Sequence, residues 1–427
     1  MKAEERGAAE NAAEYLAAKG KHLASVLKDP GSAKAPLNVR TRKPSGNGKI
    51  RVLQVIGGLS VGGAESRIMD ILRLLDREHF QYDFLLNEAP GFYEEEAKAL
   101  GCHVYRTVKY RFYNRARYER EMREFFATHP GIDIVQGHST NTAALYLPIA
   151  KAAGVPVTIA HARSAGVDPG IKGALVKLTR RGLAKKTDYC WACSGEAAEA
   201  VFGAEAAKAG RVRLIPNAVD LDRFAPLKEH LEAGEDLRRT MKLGDKLVVG
   251  HVGRFHYAKN HEFLLECFAE IRKKRDAVLM LVGEGELEAQ IREKARALGI
   301  EKSVIFTGRQ GEPAPYYQAM DVLVFPSRYE GLPGTIVESQ ASGLPALVSE
   351  SVTKDVKVTE LAEYLPLTKS PTAWAEEALK LADRYPRTKR AELSRCTEQL
   401  KKAGFDVKSQ VRMLEQLYRE MLDAKDR

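Results

Sequence analysis

The feature that most restricts this chain is a rhythm that begins at Lys49. Short runs rich in Val and Ile alternate with longer segments of helical spacing: Ile50–Ile56, Tyr82–Leu86, Ile132–Gln136, Val155–Ala160, Tyr189–Ser194 and Val212–Ile215. A second series follows with Leu247–Gly253, Val278–Val282, Val304–Thr307, Val322–Phe325 and Ala346–Ser349. Unbroken apolar runs of strand length suit parallel sheets, whose strands are covered by helices on both faces. Two such series predict an α/β protein of two doubly wound, Rossmann-like parallel-sheet domains facing a central cleft. The length of 427 residues agrees, since one core rarely grows that large.

The expected divisions follow from the rhythm. Residues 1–48 form an extension, an Ala-rich helix over 8–27 and a Pro/Gly/Lys/Arg linker, for which the sequence offers no function. Residues 49–217 form the first domain and 218–405 the second. Residues 406–427 form a final helix, apolar at Val411, Leu414, Leu417 and Met421, that packs on one of the domains, the first being the one expected. A composition 44% hydrophobic and 29% charged excludes a disordered or fibrous chain. No run approaches the roughly 20 apolar residues of a membrane span. The acidic, core-less start is not a secretory signal, and five cysteines make no disulfide framework, so a cytoplasmic location is expected. Charge is unevenly placed: residues 1–215 hold 33 Lys and Arg against 23 Asp and Glu, whereas residues 216–427 hold 34 of each. The first half is therefore expected to meet something anionic, whether nucleic acid, a phospholipid surface or a phosphorylated substrate.

In open parallel sheets, ligands bind beyond the carboxyl ends of the strands. After the first strand comes Gly57-Gly58-Leu59-Ser60-Val61-Gly62-Gly63-Ala64-Glu65. This is neither a dinucleotide fingerprint nor a phosphate loop, and it fits close backbone approach to a phosphate or sugar as well as tight helix packing. In the second half, Arg254 and Lys259 flank a turn after a strand, where a fork and a point charge can clamp a diphosphate or simply be solvated. Most informative is Ser327-Arg328-Tyr329-Glu330-Gly331-Leu332-Pro333-Gly334-Thr335-Ile336-Val337-Glu338, running on to Gly343-Leu344-Pro345. It places one glutamate in a loop and another about one and a half turns into a helix starting near Pro333. Amides around Gly334 to Ile336 then favour a phosphate, and a carboxylate beside them accepts hydrogen bonds from sugar hydroxyls.

These motifs resemble the retaining glycosyltransferases of family 4, with the GT-B fold. Gly62-Gly63-Ala64-Glu65, Ile215-Pro216-Asn217-Ala218-Val219-Asp220, Gly253-Arg254 with Lys259-Asn260, Gly283-Glu284-Gly285, Gly308-Arg309 and the Glu330…Glu338 segment stand in the family's order. Gly91-Phe92-Tyr93-Glu94-Glu95-Glu96 and Phe405-Asp406-Val407-Lys408 make the chain most similar to enzymes of bacterial capsular and exopolysaccharide assembly. The resemblance implies that Arg254 and Lys259 hold the donor diphosphate, with Glu330 and His138 beside the transferred sugar. It implies that Glu338 takes the ribose hydroxyls and that amides near Gly334 and Thr335, with Ile336 next, meet the distal phosphate. It also implies that Gly308, Arg309 and Gln310 read the base and that Gly62 and Gly63 close over the phosphates. His161 and Arg163 are weaker candidates for the acceptor. The implied reaction moves a hexose or N-acetylhexosamine from a nucleotide sugar, UDP-linked by expectation, to a glycan or polyprenyl-linked acceptor, without metal or other cofactor. Peripheral contact with an anionic inner membrane is expected from two basic-apolar groups, 105–123 and 172–186. A nucleotide-sugar epimerase of the same fold and a nucleic-acid-binding protein are the alternatives. Cys190-Trp191-Ala192-Cys193 is read as buried strand rather than a redox or zinc pair, and Asp220-Leu221-Asp222 as solvated acids rather than a metal site.

Overall fold

The computed structural model describes residues 48–60, 62–164 and 171–426, so the expected helix over 8–27 lies outside the described residues. The first lobe is a parallel sheet of β1 (Ile50–Val55), β2 (Phe80–Leu86), β3 (Val104–Arg106), β4 (Ile134–Gly137), β5 (Val157–Ala162), β6 (Tyr189–Ala192) and β7 (Val212–Leu214). Their order is β3-β2-β1-β4-β5-β6-β7. The second lobe holds β8 (Leu247–Val252), β9 (Ala277–Val282), β10 (Val304–Gly308), β11 (Val322–Phe325), β12 (Ala346–Ser349) and β13 (Ala362–Leu365), in the order β10-β9-β8-β11-β12-β13. All pairings within these sheets are parallel.

Strand order reverses beside the first strand of each sheet, between β1 and β4 and between β8 and β11. Loops leaving two such strands diverge and open a crevice. The glycine loop follows β1, His138 follows β4, Gly253 to Lys259 follow β8, and Ser327 to Gly334 follow β11. The fold thus brings the singled-out motifs to two facing crevices.

Two strands went unread in the sequence. β3 and β13 are edge strands of three and four residues, partly exposed, so neither carries a continuous apolar run. The fifth strand also needs correction: it starts at Val157 rather than Val155, because Pro156 has no amide to give a sheet. The shift places His161 inside the strand.

Helix Val407–Asp423 lies on the first lobe, burying Val411, Leu414, Leu417, Tyr418 and Met421. Tyr418 stacks on Trp191 and donates to Gln136 Oε1 at 2.5 Å while accepting from Tyr82 at 2.8 Å. The chain crosses between lobes twice, and the crossings are tied together: Val219 N donates to Phe405 O at 2.9 Å, and Val407 N to Val219 O at 3.0 Å.

Candidate active site

Lys259 ends a short 3-10 turn, Tyr257–Lys259, and Asn260 then adopts a left-handed conformation (φ 56°) that re-aims the chain into helix His261–Lys274. Asn tolerates that conformation better than most residues. Gly253 makes room for the lysine, since a Cβ there would sit 2.9 Å from Lys259 Cε. The Lys259 ammonium lies 4.5 Å over the Phe325 ring and 2.7 Å from Glu330 Oε1, with both side chains largely shielded. Arg254 differs: its side chain is 72% exposed and its Nη2 donates to Glu286 at 3.2 Å. The structure thus brings Lys259 and Glu330 together and leaves the Arg254 guanidinium at the exposed mouth, paired with Glu286.

Helix Gly334–Ala341 starts behind Pro333. Ile336 is corrected as an open donor: its side chain is buried and its amide donates to Pro333 O at 3.2 Å, which leaves Gly334 and Thr335 at the cleft. Glu338 is buried, and both its oxygens have partners. Arg67 Nη2 of the first lobe donates to Oε1 at 3.0 Å, and the Tyr317 hydroxyl donates to Oε2 at 2.6 Å. Arg67 also meets Asp70 at 3.1 Å. A space of only 3.7 Å separates its Nη1 from the position a Cβ on Gly334 would take. Gly308 sits at φ 70°, its carbonyl accepting from Gly283 N at 3.0 Å. Next to it Arg309 pairs with Glu284, and Gln310 Nε2 donates to Thr307 O at 2.7 Å.

On the first lobe, Gly62 caps helix Gly63–Leu74, and the Glu65 carboxylate folds back over it into space that a Cβ would need. Glu88 lies over Gly58, 3.1 Å from where its Cβ would be. The glycine loop expected to close over the phosphates at Gly62 and Gly63 therefore carries carboxylates beside its backbone, Glu65 at Gly62 and Glu88 at Gly58. Burial, and then Glu88, hold the Glu65 carboxyl above its usual range, while Arg254 and Arg163 act against them.

His138 is buried, and burial followed by the charge of Arg163 keeps its pKa well below the usual imidazole value, so the ring is neutral. Its Nε2 donates to Gln54 Oε1 at 2.7 Å, and its Nδ1 accepts from Arg163 Nε at 3.3 Å, the tautomer following from that arginine donor. Neither ring nitrogen is left for a substrate in this conformation. Arg163 Nη1 also donates to Asn217 Oδ1 at 3.0 Å, and Asn217 Nδ2 to Leu332 O at 3.2 Å. A hydrogen-bonded path thus runs from His138 to the loop that carries Glu330. The two acceptor candidates are corrected here. His161 is fully buried, edge-on to Trp191 and bonded to Gln136, and Arg163 is buried within the path, so neither faces an open acceptor space.

Sequence reasoning missed Arg67, Tyr317 and Asn217. Asn217 stood in a quoted motif without a role. Arg67 and Tyr317 carried no local signal, because what matters is a partner far along the chain. Asp220 caps the short helix Leu221–Phe224, and Asp222 pairs with Lys408 and Lys401. No cluster of His, Cys, Asp and Glu suited to a metal occurs among the described residues. Cys190 and Cys193 are buried, and their thiols are pushed up to about 11 by burial.

Two facing parallel sheets give the chain the GT-B fold, with a shielded lysine–glutamate pair and a buried helical glutamate at the crevice. Residues 61–223 match the family described as Glycosyltransferase Family 4, and residues 246–384 match Glycosyl transferases group 1. The putative glycosyltransferase EpsF of Bacillus subtilis (strain 168) is 33% identical over 375 residues, 86% of this chain and 96% of that protein. The capsular polysaccharide biosynthesis glycosyltransferase CapH of Staphylococcus aureus is 21% identical over 78% of this chain and 91% of its own length. An Escherichia coli UDP-Gal:alpha-D-GlcNAc-diphosphoundecaprenol alpha-1,3-galactosyltransferase is 30% identical over 51% of this chain and 57% of its own. The solved structure of Anabaena Alr3699/HepE with UDP and glucose superposes at a TM-score of 0.69 with 16% identity, covering 86% of this chain and 99% of that one. That of WaaG, a glycosyltransferase involved in lipopolysaccharide biosynthesis, gives 0.65 and 15%, covering 86% and 99%. The chain belongs to glycosyltransferase family 4, whose members retain the donor's anomeric configuration and work without a metal.

Proposed function

We propose that this enzyme moves a hexose or N-acetylhexosamine from a UDP-linked donor to a lipid-linked acceptor during assembly of a cell-surface polysaccharide, at the inner face of the membrane. The observation that carries the reading is the Lys259–Glu330 contact at the reversal point of the second sheet, with Arg254 and the start of helix Gly334–Ala341 around it. Lys259 and Arg254 then face the diphosphate, together with the amides of Gly334 and Thr335. Charge that develops on the leaving diphosphate is met by groups already in place, which lowers the barrier more than binding alone. Glu330 orients the sugar, and Lys259 exchanges its carboxylate partner for a phosphate oxygen as the donor enters. Glu338 takes the ribose hydroxyls through its remaining lone pairs, held by Arg67 and Tyr317. The bond from the anomeric carbon to the diphosphate oxygen breaks, the acceptor oxygen bonds that carbon on the same face, and the hydroxyl proton passes to the departing diphosphate.

The names of the relatives support the partners. The Escherichia coli protein is named for UDP-galactose and a diphosphoundecaprenol acceptor, and CapH for capsular polysaccharide. A membrane contact is supported by Lys177, Arg181, Lys185 and Lys186, which stand exposed around Leu178, itself 61% exposed. The other basic group is weaker than its composition suggests, since Arg115 and Arg123 pair with Glu119, and Arg117 with Glu121. No helix among the described residues is long and apolar enough to cross a membrane.

The test is nucleotide binding read by thermal protection, since a ligand of the native state raises apparent stability. UDP is expected to protect more than 2′-deoxy-UDP, and Glu338→Ala is expected to erase that difference. Equal protection by both in the wild-type protein removes the ribose assignment. Product formed without acceptor points to the epimerase reading, and binding to DNA or RNA that UDP leaves untouched points to the nucleic-acid one.

A further inference from the structure

Arg180 closes helix Ile171–Arg180 and is only 7% exposed, yet no carboxylate among the described residues pairs with it. Its partner is a neutral amide: Nε and Nη2 donate to Asn141 Oδ1 at 3.2 and 2.7 Å. Its Nη1 is buried without a partner. Burial acts alone on this guanidinium and weakens its hold on the proton. Location adds to the anomaly. Asn141 is the second residue of helix Thr140–Ala152, whose first turn follows His138 at the crevice end of β4. The N-cap Ser139 gives that turn no side-chain bond. Of the amides there, Thr140 N already donates to His138 O at 2.8 Å and Thr142 N to Ser139 O at 3.1 Å, which leaves Asn141 N beneath the arginine. The helix start still carries partial positive charge, so a buried arginine laid on it without a carboxylate is unfavourable, offset only in part by the C-terminal end of its own helix. An anion shared by the unpartnered Nη1 and the helix start supplies the missing counter-charge. Asn141 is exposed, so the guanidinium lies one side chain beneath open solvent.

We infer that Arg180, Asn141 and the start of helix Thr140–Ala152 bind a phosphate of the acceptor's lipid diphosphate. The inference deepens the proposed function and rests on its lipid-linked acceptor. The site lies in the first lobe, away from the donor groups of the second lobe, and it belongs to the same short stretch as the exposed Lys177, Leu178, Arg181, Lys185 and Lys186. A lipid approaching over that face brings its diphosphate to the helix start and its sugar toward His138. Residues 171–187 contain six cations and no carboxylate, which suits an anionic ligand along the whole approach.

The test uses the full chain with its donor site filled by saturating UDP, and titrates geranyl diphosphate as a sugar-free lipid diphosphate and inorganic pyrophosphate as the free anion. Geranyl diphosphate is expected to bind the wild-type protein. Arg180→Gln is expected to weaken it about tenfold or more, the scale of one lost charge-assisted contact, with UDP affinity unchanged. Arg180→Lys, which keeps the charge and loses the fork, falls between, and it carries the test if the glutamine variant does not fold. Unchanged geranyl diphosphate affinity in both variants, or no binding to the wild type, overturns the site. Equal binding of pyrophosphate and geranyl diphosphate, both lost in Arg180→Gln, upholds the anion site and overturns the lipid as its occupant. Failure of UDP itself to bind overturns the donor reading independently.

Discussion

Arg67 stands 271 positions from Glu338 and reaches it from the other lobe at 3.0 Å, so one buried ion pair crosses the cleft. Removing a single partner leaves the other charge uncompensated, which costs about 3 to 5 kcal/mol. Arg67→Met is therefore expected to lower stability by about that much in chemical unfolding, and to weaken UDP binding by freeing Glu338 to turn. Wild-type-like unfolding and UDP affinity would show the pair to be idle. Lys259 sits differently, sharing a shielded contact with Glu330. Lys259→Ala is expected to reduce kcat by about 100-fold, the scale of losing one group that stabilises developing charge, with a smaller change in donor KM. Steady-state kinetics separates the two. Lys259, Glu330 and Glu338 were legible in the sequence, because each stands in a motif anchored to the end of a strand. Arg67 was not, since nothing on its own helix distinguishes it from a solvated arginine.

At the scale of elements, the final helix tests how the first lobe is held. Its Leu414 is fully buried, so Leu414→Ala is expected to cost about 2 to 5 kcal/mol in denaturant unfolding. Just beyond the helix, Lys425 bonds Asp188 at 2.7 Å, as Lys151 does, and Thr158 adds its amide and hydroxyl. Burial raises the Asp188 pKa, but bonds from Lys151, Lys425 and Thr158 outweigh it and bring the carboxyl down to about 2. An aspartate with a folded pKa below its unfolded value of about 3.9 stabilises the fold above that value. The contribution disappears as pH falls from about 4 to about 2. Asp188→Asn is expected to flatten this part of the acid stability profile, and an unaltered profile would contradict the assignment. Central strands were legible because both faces are covered. β3 and β13 were not, because an edge strand of a few half-exposed residues has no apolar signature. Pro156 was a readable signal that the fifth strand begins later, and with it the burial of His161.

On the scale of the whole molecule, the directional contacts between the lobes among the described residues, beside the hinge, include Arg67 with Glu338, Arg223 with Asp70, Asn217 with Leu332, and Thr353 with Glu196. The hinge itself is the hydrogen-bonded pair of crossings at Val219 and Asp406. The two-lobed plan was legible from the repeated strand–helix rhythm. Which side chains span the cleft was not, because that depends on the angle between lobes. Within the second lobe, Arg254 must leave Glu286 to reach a diphosphate held by Lys259. A crystal structure with UDP bound tests this most directly. The account predicts the distal phosphate against Lys259, Arg254 and the start of helix Gly334–Ala341, with the ribose hydroxyls on Glu338. UDP lodged in the first lobe, or its ribose turned away from Glu338, would contradict it.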